Sequence, residues 1–365
     1  MVGIALLGAG IFAREGKFSP TEHLPAIEAT PSLTLKAVYS RSQRSAEALA
    51  AACKDPSSVA VYYDEPATPG KSLGDLLARA DVAAVDVVLP ILRQPDVVRA
   101  ALEAGKHVLS EKPVAGDVAA ARALIGWYDA WEGQQQGGAG KPLWGVAENW
   151  RFMESLRYAA RRVGEIGGQV VSFRLVQHGF MREDNKYFNT EWRKTPAHQG
   201  GFLLDAGVHF VAGLRFLLAA AGQSIRQLAG FTALLNKPLV PVDTVHAAAV
   251  TQDGKPGTIT MSFGTEFKSA MEIEIVTTNG AVVWSPTEVK TTVGKGDGSG
   301  DTVEEKKEFP RNFGVAAEVA AFAKAVEAGE LDRLQSPSEA FIDLEILQAL
   351  LESGSGGGVV KTIGA

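Results

Sequence analysis

The sequence predicts an α/β protein with a doubly wound parallel sheet at the N-terminus and a C-terminal α+β domain built on a large, mostly antiparallel open sheet. Three observations lead to this prediction. Short apolar runs alternate with helix-like stretches from Met1 to about Ala147, which is typical of parallel βαβ units. After Arg151, closely spaced strand-like runs follow without helices between them, which indicates antiparallel pairing. The 365 residues, 46% of them hydrophobic, exceed what one core usually serves, so we expect domains at 1–150 and 151–365.

The first domain is predicted to alternate six strands with helices on both faces of the sheet. The strands are expected at Val2–Leu7, Leu33–Tyr39, Val59–Tyr63, Ala83–Val88, His107–Ser110 and Leu143–Ala147, and the helices at Gln43–Ala52, Val97–Ala104 and Val118–Glu132. The glycine- and glutamine-rich stretch Gly133–Lys141 is predicted to be a polar loop before the last strand.

The second domain is predicted to begin with a helix and a strand, followed by a long polar and aromatic loop that ends at Gly201. Helices are expected at Ser155–Ile166, Leu203–Ala220, Val315–Glu327 and Ser338–Leu351, and strands at Val170–His178, Gln227–Leu235, Thr244–Thr251, Gly257–Phe263, Met271–Thr277, Gly280–Trp284, Val289–Val293 and Val303–Phe309. The two C-terminal helices are free to pack back on the first domain.

Composition excludes several classes of partner and site. The net charge is −6 and the basic residues are scattered, so we expect no nucleic acid partner and no anionic membrane surface. Cys53 is the only cysteine, which excludes an internal disulfide and suits a reducing compartment, so cytoplasmic localisation is expected. The apolar opening lacks the basic start of a signal peptide, and no run of about 18 uncharged apolar residues predicts a membrane span.

A glycine turn directly follows the first predicted strand. The run Gly8-Ala9-Gly10-Ile11-Phe12-Ala13 matches the dinucleotide-binding pattern, with alanine in the third glycine position. Gly8 would make the tight turn, and Gly10 would let backbone N–H groups approach a pyrophosphate. Because this turn opens a βαβ pattern, it predicts a Rossmann domain that binds NAD(P).

The end of the second strand favours NADP(H) over NAD(H). An acidic residue at this position would bind the ribose hydroxyls of NAD and repel a 2′-phosphate. The chain has Ser40, Arg41 and Arg44 there instead, which offer a hydroxyl and two guanidinium groups. One hydrogen bond to a charged group contributes about 1.5–3 kcal/mol, or about 10- to 150-fold in affinity. The alternative interpretation is that both arginines are merely solvated.

Ser110-Glu111-Lys112-Pro113 follows the fifth predicted strand, at the sheet edge where open α/β sheets bind ligands. Lys112 would hydrogen-bond a substrate hydroxyl there and stabilise the alkoxide as hydride leaves. A cis bond before Pro113 is a possibility that the sequence raises.

Four ordered segments resemble the Gfo/Idh/MocA oxidoreductases over essentially the whole chain, and look closest to their fungal NADP(H)-dependent members. They are GAGIFA at residues 8–13, LEAGKHVLSEKP at 102–113, VAENWRF at 146–152 and EWRKTPAHQGGFLLDAGVHF at 191–210. The resemblance implies further cofactor contacts at Ile11, Phe12, Leu89, Pro90, Gln94, Glu111 and Lys112, and substrate contacts at Asn149, Arg151, Trp192, Arg193 and His209. Family members often carry a histidine where this chain has Gln94, which leaves that contact less defined.

Asp205 and His209 are four residues apart in a helical segment, so both project from one face. The resemblance assigns them to catalysis, with His209 exchanging a proton and Asp205 orienting the imidazole or binding a hydroxyl. The roles of Lys112 and His209 could also be reversed, since each could exchange the proton. A structural Asp–His hydrogen bond is the alternative. No third ligand with suitable spacing accompanies the pair, so no metal site is predicted.

The predicted activity is hydride transfer between NADP(H) and a carbonyl or secondary alcohol of a sugar, polyol or related small metabolite. Two alternatives remain: a dinucleotide-sensing regulator of the same fold, and an enzyme like biliverdin reductase. Retention of Lys112, Asp205 and His209 argues against the first, and the polar loop before Gly201 against the second. The resemblance also implies a homo-oligomer, a dimer or tetramer.

Overall fold

The computed structural model describes residues 1–14, 22–130, 142–295 and 300–364, so the predicted loop Gly133–Lys141 lies outside the described residues. The chain divides into two compact units. The first unit comprises Met1–Asn149 and Gly314–Phe341, and the second comprises Trp150–Phe313 and Ile342–Ala365.

The first unit contains a six-stranded parallel sheet with the strand order β3-β2-β1-β4-β5-β6. Its strands are β1 (Val2–Leu7), β2 (Leu33–Tyr39), β3 (Ala60–Tyr62), β4 (Ala84–Val87), β5 (His107–Glu111) and β6 (Trp144–Ala147), and its helices include α1 (Ile11–Arg14), α2 (His23–Ala29), α3 (Gln43–Ala50), α4 (Leu73–Leu77), α5 (Gln94–Glu103) and α6 (Val118–Ala130). The strand order reverses between β1 and β4, which is where doubly wound sheets bind their ligands. The predicted fold class of this unit is confirmed.

The second unit is built on a nine-stranded sheet. After β6 the chain forms, in order, the elements α7 (Glu154–Ile166), β7 (Val170–His178), α8 (Glu191–Lys194), α9 (Gly201–Ala220), β8 (Ile225–Ala233), β9 (Thr244–Thr251), β10 (Pro256–Ser262), β11 (Ala270–Thr277), β12 (Gly280–Ser285), β13 (Glu288–Gly294), β14 (Thr302–Glu308), α10 (Val315–Ala328), α11 (Pro337–Ser355) and β15 (Lys361–Thr362). Of these, α10 and the start of α11 belong to the first unit. The strand order is β14-β13-β12-β11-β7-β10-β9-β8-β15, and every pairing except β7 with β10 is antiparallel. The mostly antiparallel sheet is therefore also confirmed.

Helix α10 completes the core of the first unit. Its apolar side chains, among them Val319 and Phe322, join the buried cluster that contains Ile4 and Leu6 of β1. The helix packs directly on α2. A segment more than 300 residues from the N-terminus thereby covers the sheet that carries the glycine turn.

Helices α7 and α9 pack on one face of the second sheet, and the other, the open face, has exposed side chains among the described residues, such as Arg174, Phe231 and His246. On β7, Phe173 and Leu175 are buried, whereas Arg174 between them is exposed, as the two-residue period of a strand requires. By length and composition alone α9 passes the test for a membrane-spanning helix, with a mean hydropathy of 1.6, but 72% of that stretch is buried within the protein. Burial of this kind is what a core helix also shows.

The sequence analysis does not predict five short elements. Helices α1, α2, α4 and α8 and strand β15 have between two and seven residues, too few for a period of 3.6 or 2 to be recognised. The long polar loop before Gly201 contains α8 and otherwise lacks regular elements.

Candidate active site

The glycine turn after β1 has the geometry that a dinucleotide turn requires. Gly8 has a φ of +124°, and a Cβ atom there would lie 2.0 Å from the carbonyl oxygen of Val88. Its N–H donates to the carbonyl of Tyr39, which ties the turn to the end of β2. A Cβ atom on Gly10, by contrast, would meet none of the described residues within 4 Å. Gly8 therefore makes the strand crossing, and Gly10 leaves space among the described residues at the position where the dinucleotide pattern expects a pyrophosphate, with Ile11 and Phe12 following in α1.

Directly after β2 the chain has Ser40 and Arg41, and neither is the carboxylate that would bind the ribose hydroxyls of NAD. The carbonyl oxygen of Arg41 accepts hydrogen bonds from the N–H groups of Asp64 and Glu65, at 3.1 and 2.9 Å. Its side chain is 78% exposed and lies 3.7 Å from the exposed Glu65 carboxylate. Such an exposed ion pair contributes between zero and about 1 kcal/mol, so an incoming phosphate could displace it. Arg44 is exposed in the first turn of α3.

Beyond β4 and β5 the chain places the remaining predicted cofactor residues of the first unit. Leu89 and Pro90 are half-buried directly after β4, and Gln94 begins α5. Gln94 is 2% exposed, and neither its amide nitrogen nor its amide oxygen has a hydrogen-bond partner among the described residues. Glu111 is the last residue of β5, and half-buried Lys112 follows it. The Lys112–Pro113 bond is cis, as the sequence analysis anticipated.

In the second unit, Asp205 is engaged by an arginine from the preceding loop. Arg193 Nε donates to Asp205 Oδ2 over 2.7 Å, and the Asp205 side chain is only 6% exposed. The Arg193 guanidinium also lies 4.1 Å from the centre of the Trp192 ring, which is within cation–π range. The predicted residues Trp192, Arg193 and Asp205 therefore form one cluster.

His209 lies one helical turn beyond Asp205 on α9, and its position is defined by an aromatic stack. The imidazole is parallel to the Trp150 indole within 11°, with the ring centres 5.8 Å apart. Trp150 is in turn packed against Phe210 and Trp284 at 4.8 and 5.3 Å. The buried Trp150 ring therefore restrains the plane of the imidazole.

His198 and the two glycines before α9 complete this region. The His198 Nε2 donates to the carbonyl of Gly201 at 3.2 Å, and burial lowers the pKa of its imidazole. A Cβ atom on Gly200 would meet Leu351 at 2.5 Å, and one on Gly201 would meet the Val240 carbonyl at 2.3 Å. The protein itself therefore fills the room that these glycines provide.

Arg151, a predicted substrate residue, is 2% exposed and paired with Asp343 of α11. Arg215 of α9 approaches the other oxygen of the same carboxylate, at 2.5 Å. This guanidinium is thus held in a buried ion triad within the second unit. Asn149, the last residue of the first unit's N-terminal segment, is 4% exposed.

Sequence reasoning missed three groups that the structure ties to predicted site residues. Trp150 lies in the segment VAENWRF, which predicted no role for it, and it stacks on His209. Asp343 pairs with Arg151, and the buried His23 contacts Asp86 and Glu111; no local sequence signal predicts either arrangement. In the part of the chain that the structure describes, no group of three or more His, Cys, Asp or Glu side chains is arranged to hold a metal ion.

Comparison with known proteins agrees with this organisation. Residues 2–129 match the model described as the NAD-binding Rossmann fold of the Gfo/Idh/MocA oxidoreductase family, and residues 163–362 match its C-terminal alpha/beta domain. The chain is 52% identical over 363 residues to the dehydrogenase FPY6 of Fusarium mangiferae, which covers 100% of this chain and 99% of that protein.

Two further relatives are more distant. A D-xylose 1-dehydrogenase (NADP(+)) of Haloferax volcanii is 28% identical over 322 residues, or 86% of this chain and 92% of that protein. An oxidoreductase structure from Thermotoga maritima superimposes with a TM-score of 0.80 at 28% identity and covers 98% of both chains. The family models, the fungal dehydrogenase and the glycine turn all agree, and the chain belongs to the Gfo/Idh/MocA family of oxidoreductases, with a Rossmann domain for a nicotinamide dinucleotide.

Proposed function

We propose that this oxidoreductase is a cytoplasmic, NADP(H)-dependent dehydrogenase that transfers a hydride between nicotinamide and a carbonyl or secondary alcohol of a sugar, polyol or related small metabolite. The observation that carries the NADP(H) preference is the end of β2, where Ser40 and Arg41 stand in place of an acidic residue. The Haloferax volcanii relative, a D-xylose 1-dehydrogenase (NADP(+)), supports both the sugar-like substrate and the coenzyme.

The dinucleotide would be held by the glycine turn, by Ser40, Arg41 and Arg44 at the ribose phosphate, and by Leu89, Pro90 and Gln94 at the nicotinamide. The unpartnered, buried amide of Gln94 has both a donor and an acceptor to offer to a carboxamide. The bound coenzyme supplies the acceptor or donor for the hydride. Every other step falls to side chains of this chain.

Lys112 and His209 are the two groups that we propose to handle the substrate hydroxyl. The Lys112 ammonium would stabilise negative charge on the reacting oxygen, and an imidazole has an ordinary pKa close to neutrality, so it suits proton exchange. Asp205, held by Arg193, would bind a second hydroxyl or orient the imidazole. A polyol offers several hydroxyls, and Trp192 offers a flat apolar face to a sugar ring.

The coenzyme preference is tested by titrating the protein with NADPH and with NADH while following nicotinamide fluorescence. We expect NADPH to bind about 10- to 150-fold more tightly, and Arg41→Ala to remove most of that difference. Arg182→Ala is the matched control, because the Arg182 side chain is 74% exposed, close to the 78% of Arg41, but lies in the second unit. Equal affinities for the two nucleotides would show that Arg41 is merely solvated, and failure to bind either would overturn the dehydrogenase itself.

The catalytic assignment is tested on the substrate that a screen of sugars, polyols and aldehydes gives. His209→Asn and Lys112→Met should each slow single-turnover hydride transfer by about 100-fold or more, as loss of a general acid or base does. The variant that also abolishes the pH dependence of the rate identifies the group that exchanges the proton. Unchanged hydride transfer in His209→Asn would remove His209 from the mechanism.

We further propose that the protein is a homo-oligomer that associates through the open face of the second sheet. Phe231 of β8 is 67% exposed there, beside His246 and Ala248 of β9, which are also exposed. Large exposed apolar side chains on a regular surface favour association. Sedimentation analysis should give at least a dimeric mass, reduced by Phe231→Glu, whereas a monomeric mass of the unaltered protein would disprove the association.

A further inference from the structure

A histidine in the first unit is clamped between two carboxylates. His23 is the first residue of α2; its Nδ1 lies 2.7 Å from Asp86 Oδ2, and its Nε2 lies 2.8 Å from Glu111 Oε1. The side chains of His23 and Asp86 are fully buried, and that of Glu111 is 10% exposed. Ionised carboxylates only accept hydrogen bonds, so both ring nitrogens must donate, and the ring is an imidazolium.

The charges of this triad follow from its contacts. Burial opposes the charged ring, but Asp86 and Glu111 outweigh burial and hold the pKa of His23 well above its ordinary value. Burial also raises the pKa of Asp86, and the positive charge of His23 opposes that shift. With both carboxylates ionised, the triad has a net charge of about −1 in a region shielded from water. A charge in such surroundings acts over a longer distance than an exposed one, because water screens it less.

Another acidic side chain, that of Glu318, interacts with the carboxylates of the triad. Glu318 of α10 is fully buried, and neither of its carboxyl oxygens has a hydrogen-bond partner among the described residues. Burial first, and then repulsion from Glu111, Glu148 and Asp86, hold the pKa of Glu318 well above its ordinary value. Burial therefore favours the neutral form of Glu318.

The triad lies at the part of the sheet where a dinucleotide would bind. Asp86 is on β4, which lies between β1 and β5 at the reversal of the strand order. Glu111 is at the carboxyl end of β5 and directly precedes Lys112. The ring of Phe12, in the glycine turn, lies 5.8 Å from the ring of His23. The same three side chains thus join the glycine turn to the strand end that carries the proposed catalytic lysine.

We propose that the Asp86–His23–Glu111 triad is an electrostatic determinant of the dinucleotide site, which strengthens binding of the oxidised coenzyme relative to the reduced one. The inference rests on the proposed function. The nicotinamide ring is positively charged when oxidised and neutral when reduced, so a buried net negative charge at this sheet edge stabilises only the oxidised form. Asp86 and His23 act through Glu111 and are positioning residues rather than catalytic ones.

The test compares the dissociation constants of the oxidised and reduced forms of whichever coenzyme binds the unaltered protein more tightly. Glu111→Gln removes one negative charge but keeps an oxygen that accepts the His23 Nε2–H bond. We expect the ratio of the oxidised to the reduced dissociation constant to rise by roughly 10-fold in Glu111→Gln. Asp86→Asn should raise it in the same direction by less, because Asp86 lies within the strand rather than at its end.

The control is Glu103→Gln, which removes one negative charge from the exposed surface of α5 and should leave the ratio unchanged. A general loss of structure would weaken both coenzyme forms together and so would not move the ratio. An unchanged ratio in folded Glu111→Gln overturns the inference while leaving the dehydrogenase intact. Absence of binding of both forms to the unaltered protein overturns the two proposals together.

A second measurement needs no coenzyme. The chain has six histidines, and the ¹⁵N resonances of His23 are assigned by their absence in His23→Gln. We expect the His23 ring to remain doubly protonated at pH 8, where exposed histidines are neutral. A neutral His23 ring at that pH would remove the charge on which the inference depends.

Discussion

Single residues at the glycine turn separate folding from binding. Gly8 and Gly10 both belong to the dinucleotide pattern, yet only Gly8 has a positive φ and a backbone carbonyl in the place of its missing side chain. Among the described residues, Gly10 has free space in that place. Glycine is thus required at the two positions for different physical reasons, and the sequence pattern alone does not distinguish them.

We therefore expect Gly8→Ala and Gly10→Ala to fail in different ways. The positive φ of Gly8 alone costs about 1–3 kcal/mol for a residue with a side chain, and the overlap with Val88 adds to it. The free energy of unfolding of Gly10→Ala should lie within about 1 kcal/mol of that of the unaltered protein. Its affinity for dinucleotide should fall at least 10-fold, because the added methyl group fills the space left for a phosphate. Urea unfolding and nucleotide titration measure the two effects. Equal stability of both variants would contradict this division.

At the scale of elements, buried polar groups connect parts of the chain that are far apart in sequence. Arg151 after β6, Arg215 on α9 and Asp343 on α11 form one ion triad in the second unit, in which Arg151 and Asp343 have side chains only 3% exposed. On the open face of the sheet, Arg174 is 45% exposed and lies 3.1 Å from Glu274. The same chemistry therefore occurs in two different dielectric surroundings.

Asp343→Asn should lower the free energy of unfolding of the second unit by about 3–5 kcal/mol, because it leaves two largely buried guanidinium groups without their countercharge. The matched control, Glu274→Gln, breaks an exposed pair and should change stability by less than about 1 kcal/mol. Chemical denaturation of the two variants at equal ionic strength makes the comparison. Similar losses in both would show that burial does not set the strength of the Asp343 triad.

At the scale of the whole molecule, the two units respond differently to pH. His23 and Glu318 both belong to the first unit, and both have raised pKa values in the folded protein. A group with a raised pKa stabilises the fold at pH values below its unfolded pKa, which is 6.5 for the histidine and 4.5 for the glutamate. That contribution is lost as the pH rises through the folded value.

The stability of the first unit should therefore fall as the pH rises, above about pH 4.5 through Glu318 and above about pH 6.5 through His23. Each proton that the folded state holds in excess lowers the free energy of unfolding by about 1.4 kcal/mol per pH unit. In Glu318→Gln the side chain is neutral at every pH, so the substitution should reduce this slope and raise the free energy of unfolding of the first unit at pH 8. Hydrogen exchange of β1 and β4, compared with that of β7 and β10, follows each unit separately. Identical slopes in the variant and the unaltered protein would mean that Glu318 is ionised in the folded state.

The sequence by itself determined the local features of this protein. The alternation of apolar runs predicted the parallel sheet and the mostly antiparallel sheet, with β1, β2, β7 and β9 at their predicted bounds. This is possible because the period of apolar residues that are close in sequence identifies a strand or a long helix. The glycine turn and the Lys112, Asp205 and His209 motifs were likewise local. They led to the oxidoreductase family, which the comparisons confirm.

Only the tertiary structure decided which distant side chains meet. The Asp86–His23–Glu111 triad spans 88 residues of sequence between His23 and Glu111, and the Arg151–Asp343 pair spans 192. Neither leaves a periodic or contiguous signal. Short elements such as α2 and β15 were missed because their stability comes from packing and pairing with remote segments rather than from their own residues. Burial and charge of a side chain depend on those contacts, which is why the structure alone identified the charged triad beside the dinucleotide turn.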